Sequence, residues 1–311
     1  LVLTGGAVRL TGSGLGCPTW PECTPGSYTP VPYQAEGQLH AWIEFGNRLL
    51  TFALLLAAII AFINVGWVQR ILRIILNSRR IQRILRIIPS GGWVLKSIST
   101  ILSALENRFS IRRDLHILAL GQVIGILAQA VLGGITVLTD LHPLPVAGHL
   151  LLSMLLIAGA TSLYSRRHEP QIKVAAPTKT ISVLSQAHIA ISFIVLILGT
   201  IVTGSGPHAG DENAVRLGFA MTSVARVHSV SVLLTIALII FLAVRAKQLN
   251  SDVNTTDAIQ ALLFAAVFQG AIGYAQYFTG VPVALVAVHI VGATALWFAV
   301  CNLAVTPTRA I

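Results

Sequence analysis

Charge is what this sequence has least of. Of its 311 residues only 10% are Asp, Glu, Lys or Arg, while 55% are hydrophobic, and the mean hydropathy is +0.79. So few charges cannot solvate the surface of a water-soluble chain of this length, and that class is excluded. Acidic residues are rarer than basic ones, 11 against 21, for a formal charge of +10. Cysteine is confined to Cys17, Cys23 and Cys301, which excludes a disulfide-built scaffold and a four-thiolate metal centre.

Long apolar runs are abundant. A helix needs about 20 apolar residues to cross the ~30 Å hydrocarbon core, and such runs predict spans near 41–66, 115–138, 144–164, 181–203, 223–244, 258–279 and 283–304. Leu1–Val8 reads as the last turns of an eighth, truncated helix. The expected fold is therefore an all-α integral membrane protein, an eight-helix bundle in a cell (inner) membrane. Basic residues concentrate on one side: 17 of the 21 fall in 67–113, 165–180, 245–257 and the tail, against Arg9 and Arg216 in the opposite loops. By the positive-inside rule the basic loop 67–113 and the C-terminus face the cytoplasm, and Arg9–His40, Thr139–Leu144 and Gly204–Thr222 face outward. Arg and Ile/Leu alternate at helical spacing in 67–88, as in an ordinary positive-inside loop or an interfacial helix on anionic lipid. Nucleic acid is not an expected partner.

The sequence repeats itself. Thr11-Gly12-Ser13-Gly14 recurs as Thr203-Gly204-Ser205-Gly206, each time where a span meets an outer loop. Gln129 precedes His149 by 20 residues and Gln269 precedes His289 by the same 20, with Gly133 matching Gly273 and Thr139 matching Thr279. Asn47 falls opposite His228. Two tandem related four-helix halves follow, 1–165 and 181–311, joined by a cytoplasmic linker, 166–180.

Among nine histidines, His149, His228 and His289 stand one or two turns inside outer helix ends, within apolar runs, where polar groups are costly. Paired imidazoles on neighbouring helices suit six-coordinate haem iron; the alternative is helix-to-helix hydrogen bonding. Zinc is disfavoured, because no carboxylate or cysteine joins them at ligand spacing. Glu44 is the only acidic residue in a predicted span. It shares a face with Asn47 and Arg48, either as an ion pair with Arg48 or as a carboxylate serving a pocket. Arg48 or Arg226 suits a haem propionate. Cys17 and Cys23 form either a structural disulfide or a redox-active pair.

These residues also resemble a known family. The run Gly5-Gly6-Ala7-Val8-Arg9-Leu10-Thr11-Gly12-Ser13-Gly14-Leu15-Gly16-Cys17-Pro18, then Trp20-Pro21-Glu22-Cys23 and Ile43-Glu44-Phe45, is similar to the first outer loop and second helix of heme A synthase. The resemblance extends through the Gly206–Asp211 loop and the duplicated plan. It implies an oxidoreductase that converts a methyl group of heme O to a formyl, making heme A for cytochrome oxidase. It also implies haem b held by His228 and His289 as axial ligands, and a first half that takes the substrate at His149, Asn47 and Arg48. Glu44 matches the catalytic glutamate, and Cys17 and Cys23 a cysteine pair given redox roles. Asn47 departs from the pattern, which has histidine there. Heme O synthase and a quinone or other electron acceptor are the partners expected. A non-catalytic di-haem b-type cytochrome, relaying electrons between quinone and a partner, is the rival reading; a small-solute carrier is a third.

Overall fold

The computed structural model describes residues 1–76, 113–167 and 179–305, with the side chains of 66–76 and 113 left aside. The described residues form eight helices: α1 Val2–Leu10, α2 Gln38–Leu76, α3 Arg113–Leu138, α4 Pro143–Arg166, α5 Lys179–Ser205, α6 Met221–Gln248, α7 Val253–Phe278 and α8 Val283–Val305. Seven of them are long and apolar enough to cross a membrane, where a helix meets every internal backbone hydrogen-bonding need itself. The spans read from hydropathy recur to within a few residues, with one difference. α2 does not stop near residue 66 but continues to Leu76. Between Gly66 and Pro89 there is no helix breaker, and the Arg and Leu of that stretch are good helix formers. The remainder of the basic segment lies outside the described residues, as do the linker from 168 to 178 and the tail from 306.

Contacts arrange the helices as two groups. α5, α6, α7 and α8 pack in a closed ring, each against the next and α8 against α5, so that α6 and α8 stand at opposite corners. α1, α2, α3 and α4 follow the same order of neighbours. The groups meet through α4 against α5 and α8, and through α1 against α8. The two hairpins α3–α4 and α7–α8 close alike. Leu141 N donates to Thr136 O at 2.9 Å and Val281 N to Gln276 O at 2.7 Å, both from residues with positive φ, as in a helix C-terminal cap of the Schellman type. Their starts differ: α4 has His142 as N-cap with Pro143 in the first turn.

The core lies within the α5–α8 group and is reached from α4 by Met154. Met154, Ile181, Ile239, Leu242, Ile259, Leu262, Trp297 and Val300 are buried together, and Trp297 Nε1 donates to the Met154 carbonyl at 2.7 Å. Many outward positions are large and apolar, among them Leu56, Ile117, Leu234 and Phe264, as a lipid-facing surface requires. With hydrocarbon outside as well as inside, helix association rests on close packing and interhelical hydrogen bonds, each worth about 0.6 kcal/mol on average.

Candidate functional site

One ion pair organises the loop between α1 and α2. Glu44 and Arg48 stand a turn apart on α2, with Arg48 Nη2 2.6 Å and Nε 3.1 Å from Glu44 Oε1. The other carboxylate oxygen accepts the Cys17 amide at 2.7 Å. Arg48 then donates to three loop carbonyls, those of Cys17 at 2.8 Å, Thr19 at 3.1 Å and Glu22 at 3.1 Å. Guanidinium, with five N–H donors in a planar fork, is suited to bridging several acceptors. The sulfurs of Cys17 and Cys23 lie at disulfide distance with Cα atoms 4.3 Å apart, and both side chains are wholly buried. Gln34 donates to the carbonyl of Gly16. Gly16 in turn packs so closely on the His40 carbonyl that a Cβ would collide with it.

The loop reaches over α3. Trp20 rests on Gly134, where a Cβ would stand 2.5 Å from the indole. The adjacent Gly133 receives the His149 ring, its Cβ position lying 3.3 Å from Nε2. Asn47 is turned toward α1, its side-chain oxygen accepting from Thr4 Oγ1 at 2.7 Å. Among the described residues no hydrogen bond links Glu44 or Asn47 to His149. Thus Glu44, Arg48, Cys17 and Cys23 form one cluster, and His149 meets α3 at Gly133, the residue next to the one that carries Trp20.

The second group repeats the imidazole environment. His289 on α8 faces Gly273, a Cβ there lying 3.1 Å from Cε1, and His228 on α6 faces Gly199 at 3.3 Å. Gln269 Nε2 donates to the His289 carbonyl at 2.8 Å, just as Gln129 Nε2 donates to the His149 carbonyl at 2.9 Å. The 20-residue spacing in the sequence is therefore one hydrogen bond made twice. His228 Nδ1 is buried and has no partner among the described residues. Two imidazoles on diagonal helices, each given room by a glycine and neither joined by a carboxylate or thiolate, match the donor set of a haem iron. Bound iron would satisfy the one ring nitrogen of this pair, His228 Nδ1, that is buried and without a partner among the described residues.

Sequence reasoning missed several residues here. The ion pair of Arg48 with Glu44 was one of the two readings, but its bonds to the loop carbonyls were not foreseen, and Arg226 is exposed. His40 pairs through Nδ1 with Ser13 Oγ at 2.9 Å, and His208 through Nε2 with the Val281 carbonyl at 2.8 Å. His188, deep in α5, is buried with both ring nitrogens unpartnered among the described residues. The loop after α1 and the loop after α5, joined by Gly14 N to Gly210 O at 3.0 Å, also border an open cleft of about 500 Å³ lined by Arg9, His40, His208, Asp211 and Arg216 among others. His149, His228 and His289 do not line it.

Comparison with known proteins places these features. A family model described as cytochrome oxidase assembly protein matches residues 1–301. The heme A synthase of Geobacillus thermodenitrificans is 32% identical over 66 residues, 21% of this chain and 19% of the relative. That of Lysinibacillus sphaericus (strain C3-41) is 34% identical over 68 residues, 22% of this chain and 19% of the relative. That of Geobacillus kaustophilus (strain HTA426) is 41% identical over 49 residues, 16% of this chain and 14% of the relative. The chain thus spans less than a fifth of the length of these curated relatives. No solved structure matches.

Proposed function

The chain belongs to the cytochrome oxidase assembly protein family, and from that premise we propose that it is a heme A synthase, oxidising a methyl group of heme O to a formyl group. The observation that carries this reading is the duplicated glutamine–glycine–histidine arrangement. One copy is accompanied by a carboxylate, Glu44, and the other by a second histidine, His228. Division of labour between a substrate half, 1–165, and an electron-holding half, 181–311, follows from that asymmetry.

The overall chemistry balances as methyl plus water giving formyl, four protons and four electrons. In the first half, His149 offers a ligand to the substrate iron, and Trp20 and the loop cover the site. Glu44, paired with Arg48 and oriented by the Cys17 amide, stabilises positive charge developing at the substrate's methyl carbon and takes up a released proton. His228 and His289 hold a b-type haem in the second half. Bound there, it supplies one-electron storage for the oxidation. Asn47 orients the helix through α1 and leaves ligation to His149. Cys17 and Cys23 form a disulfide that fixes the loop on Glu44. The sites face the outside of a cell membrane, the basic segment and the C-terminus face the cytoplasm, and a quinone or comparable acceptor takes the electrons. Heme O synthase is the natural donor of substrate.

The test is to express the chain with a heme O supply and analyse extracted haems. Heme A accumulates if the reading is right; well-folded protein that yields none overturns it. Two non-exchanging b-haems and no conversion would instead identify a di-haem electron carrier. Full conversion by Glu44→Gln would remove the role given to that carboxylate.

A further inference from the structure

We propose that the hydroxyl pair of Ser229 and Tyr274, at the seam of α6 and α7, docks the headgroup of a membrane quinone, which takes up the electrons released by the reaction. The proposal deepens the reading above and rests on it, since it supposes an oxidation of heme O and a haem at His228 and His289.

Tyr274 OH and Ser229 Oγ lie 2.5 Å apart, linking α7 to α6. Tyr274 is 45% exposed, and its ring stacks with that of Phe278, centroids 6.1 Å apart. The surface around the pair is apolar. Between Arg226 and Lys247 every exposed residue of α6 is apolar, and so is every exposed residue of α7 between Gln260 and Tyr274. A tyrosine at a membrane boundary ordinarily keeps its hydroxyl in the interfacial water. This one turns it sideways, to the next helix.

Two hydroxyls carry two protons, and the bond between them uses one. Neither oxygen has another partner among the described residues, so one O–H remains to be donated. An unpaired donor against hydrocarbon is costly. A quinone carbonyl arriving from the lipid accepts it, and the stacked rings of Tyr274 and Phe278 give the planar headgroup an aromatic neighbour.

The position fits an exit for electrons. Ser229 follows His228, and Tyr274 follows Gly273, which receives the His289 ring. In the repeat, the corresponding positions of the first half are Arg48 and Gly134. There the loop between α1 and α2 covers both, through the carbonyl bonds of Arg48 and the Trp20 ring. The same corner is roofed in one half and open to lipid in the other. An acceptor reached across such a surface must be lipid-soluble, accept a hydrogen bond and take electrons together with protons. A quinone meets all three requirements. Methyl, water and two quinones give formyl and two quinols, so that the four electrons and four protons balance.

The experiment uses the full chain, loaded with haem b, in phosphatidylcholine nanodiscs. A fluorescent quinolone N-oxide serves as the quinone analogue, and its quenching by the bound haem reads affinity. Decylubiquinone, added anaerobically to the reduced protein after removal of dithionite, reads the rate of haem reoxidation. The parent is expected to bind the probe and to lose it to decylubiquinone. The double variant Tyr274→Phe/Ser229→Ala removes both donors without adding bulk. It is expected to weaken binding and slow reoxidation by about fivefold, the share of one neutral hydrogen bond, with haem content and absorbance unchanged. Each single change leaves one donor and falls between, while Tyr277→Phe stays at the parent value. Parent-level affinity and rate in the double variant overturn the proposal, even where lowered thermal stability marks Tyr274 as an interfacial anchor. So does a haem-loaded parent that neither binds the probe nor is reoxidised by the quinone. Folded protein that takes up no haem would instead overturn the underlying reading, and this one with it.

Discussion

Replacing Arg48 by alanine tests the outer loop most directly. The change removes five donated bonds, two to Glu44 and three to the carbonyls of Cys17, Thr19 and Glu22. It also strands Glu44, whose side chain is 6% exposed, without a counter-charge. Breaking a buried pair from one side typically costs 3–5 kcal/mol. Because Arg48 retains 19% exposure, solvent screens part of the attraction, and the lower end, about 3 kcal/mol, is the figure to expect. That corresponds to roughly a hundredfold rise in local opening. Hydrogen exchange in peptides covering residues 11–37 reads it, with helices α5–α8 as the internal reference. Arg48→Lys is expected to fall between, since one ammonium cannot span a carboxylate and three carbonyls. Adding Glu44→Gln to Arg48→Ala removes the stranded charge and is expected to restore part of the protection. Exchange at the parent level in Arg48→Ala, or a double variant more open than the single one, would refute the clamp.

Three further outcomes are expected. Gly134→Val drives side-chain atoms into the Trp20 indole, so tryptophan emission shifts to the red and exchange in the loop rises while total helicity holds. Gly199→Val displaces the His228 ring from α5 and abolishes low-spin haem absorbance in the second half, checked by optical spectra of purified protein. At the start of α7, partial burial opposes ionisation of Asp252, yet the Thr255 hydroxyl and backbone amides outweigh it and hold the carboxyl below the ordinary aspartate range. A lowered native value means the cap stabilises above the ordinary aspartate range and is lost as pH falls through the lowered one. Asp252→Ala is therefore expected to cost about 1 kcal/mol at neutral pH, and thermal melts of variant and parent should converge in strong acid.

How much of this was legible in the sequence depends on what each feature is made of. Span positions were readable because hydropathy is summed over many residues, and errors at single positions cancel. The duplication was readable because Gln129/His149 and Gln269/His289 keep both identity and spacing. What Gln129 and Gln269 do was not, since nothing in the spacing says that each amide nitrogen donates to the main-chain carbonyl of the histidine 20 residues on. The loop clamp was hidden for a different reason: three of Arg48's acceptors are carbonyls, which every residue possesses and no side chain announces. The nearest sequence signal was the 44/48 spacing, which marks the ion pair but not its second task. Trp20 on Gly134 likewise joins residues 114 positions apart, visible only once α3 is in place. The span read at 41–66 recurs as Gln38–Val65, while the helix that carries it runs on to Leu76, because arginines end a membrane span without ending a helix.

Those same carbonyl contacts have a counterpart at the seam between the helix groups. Gly14 is bonded to Gly210 between two loops, and Arg9 Nη2, at the end of α1, to the Thr203 carbonyl, near the end of α5, at 3.0 Å. Trp297, about 20 Å along α8 from its loop end at the usual rise per residue, is bonded to Met154. A carrier that alternates its access must let one half rock upon the other, opening at one face while closing at the other. Fastenings at two depths deny that rotation an axis. Such a seam describes a fixed frame, and it counts against any reading in which the two helix groups move as jaws.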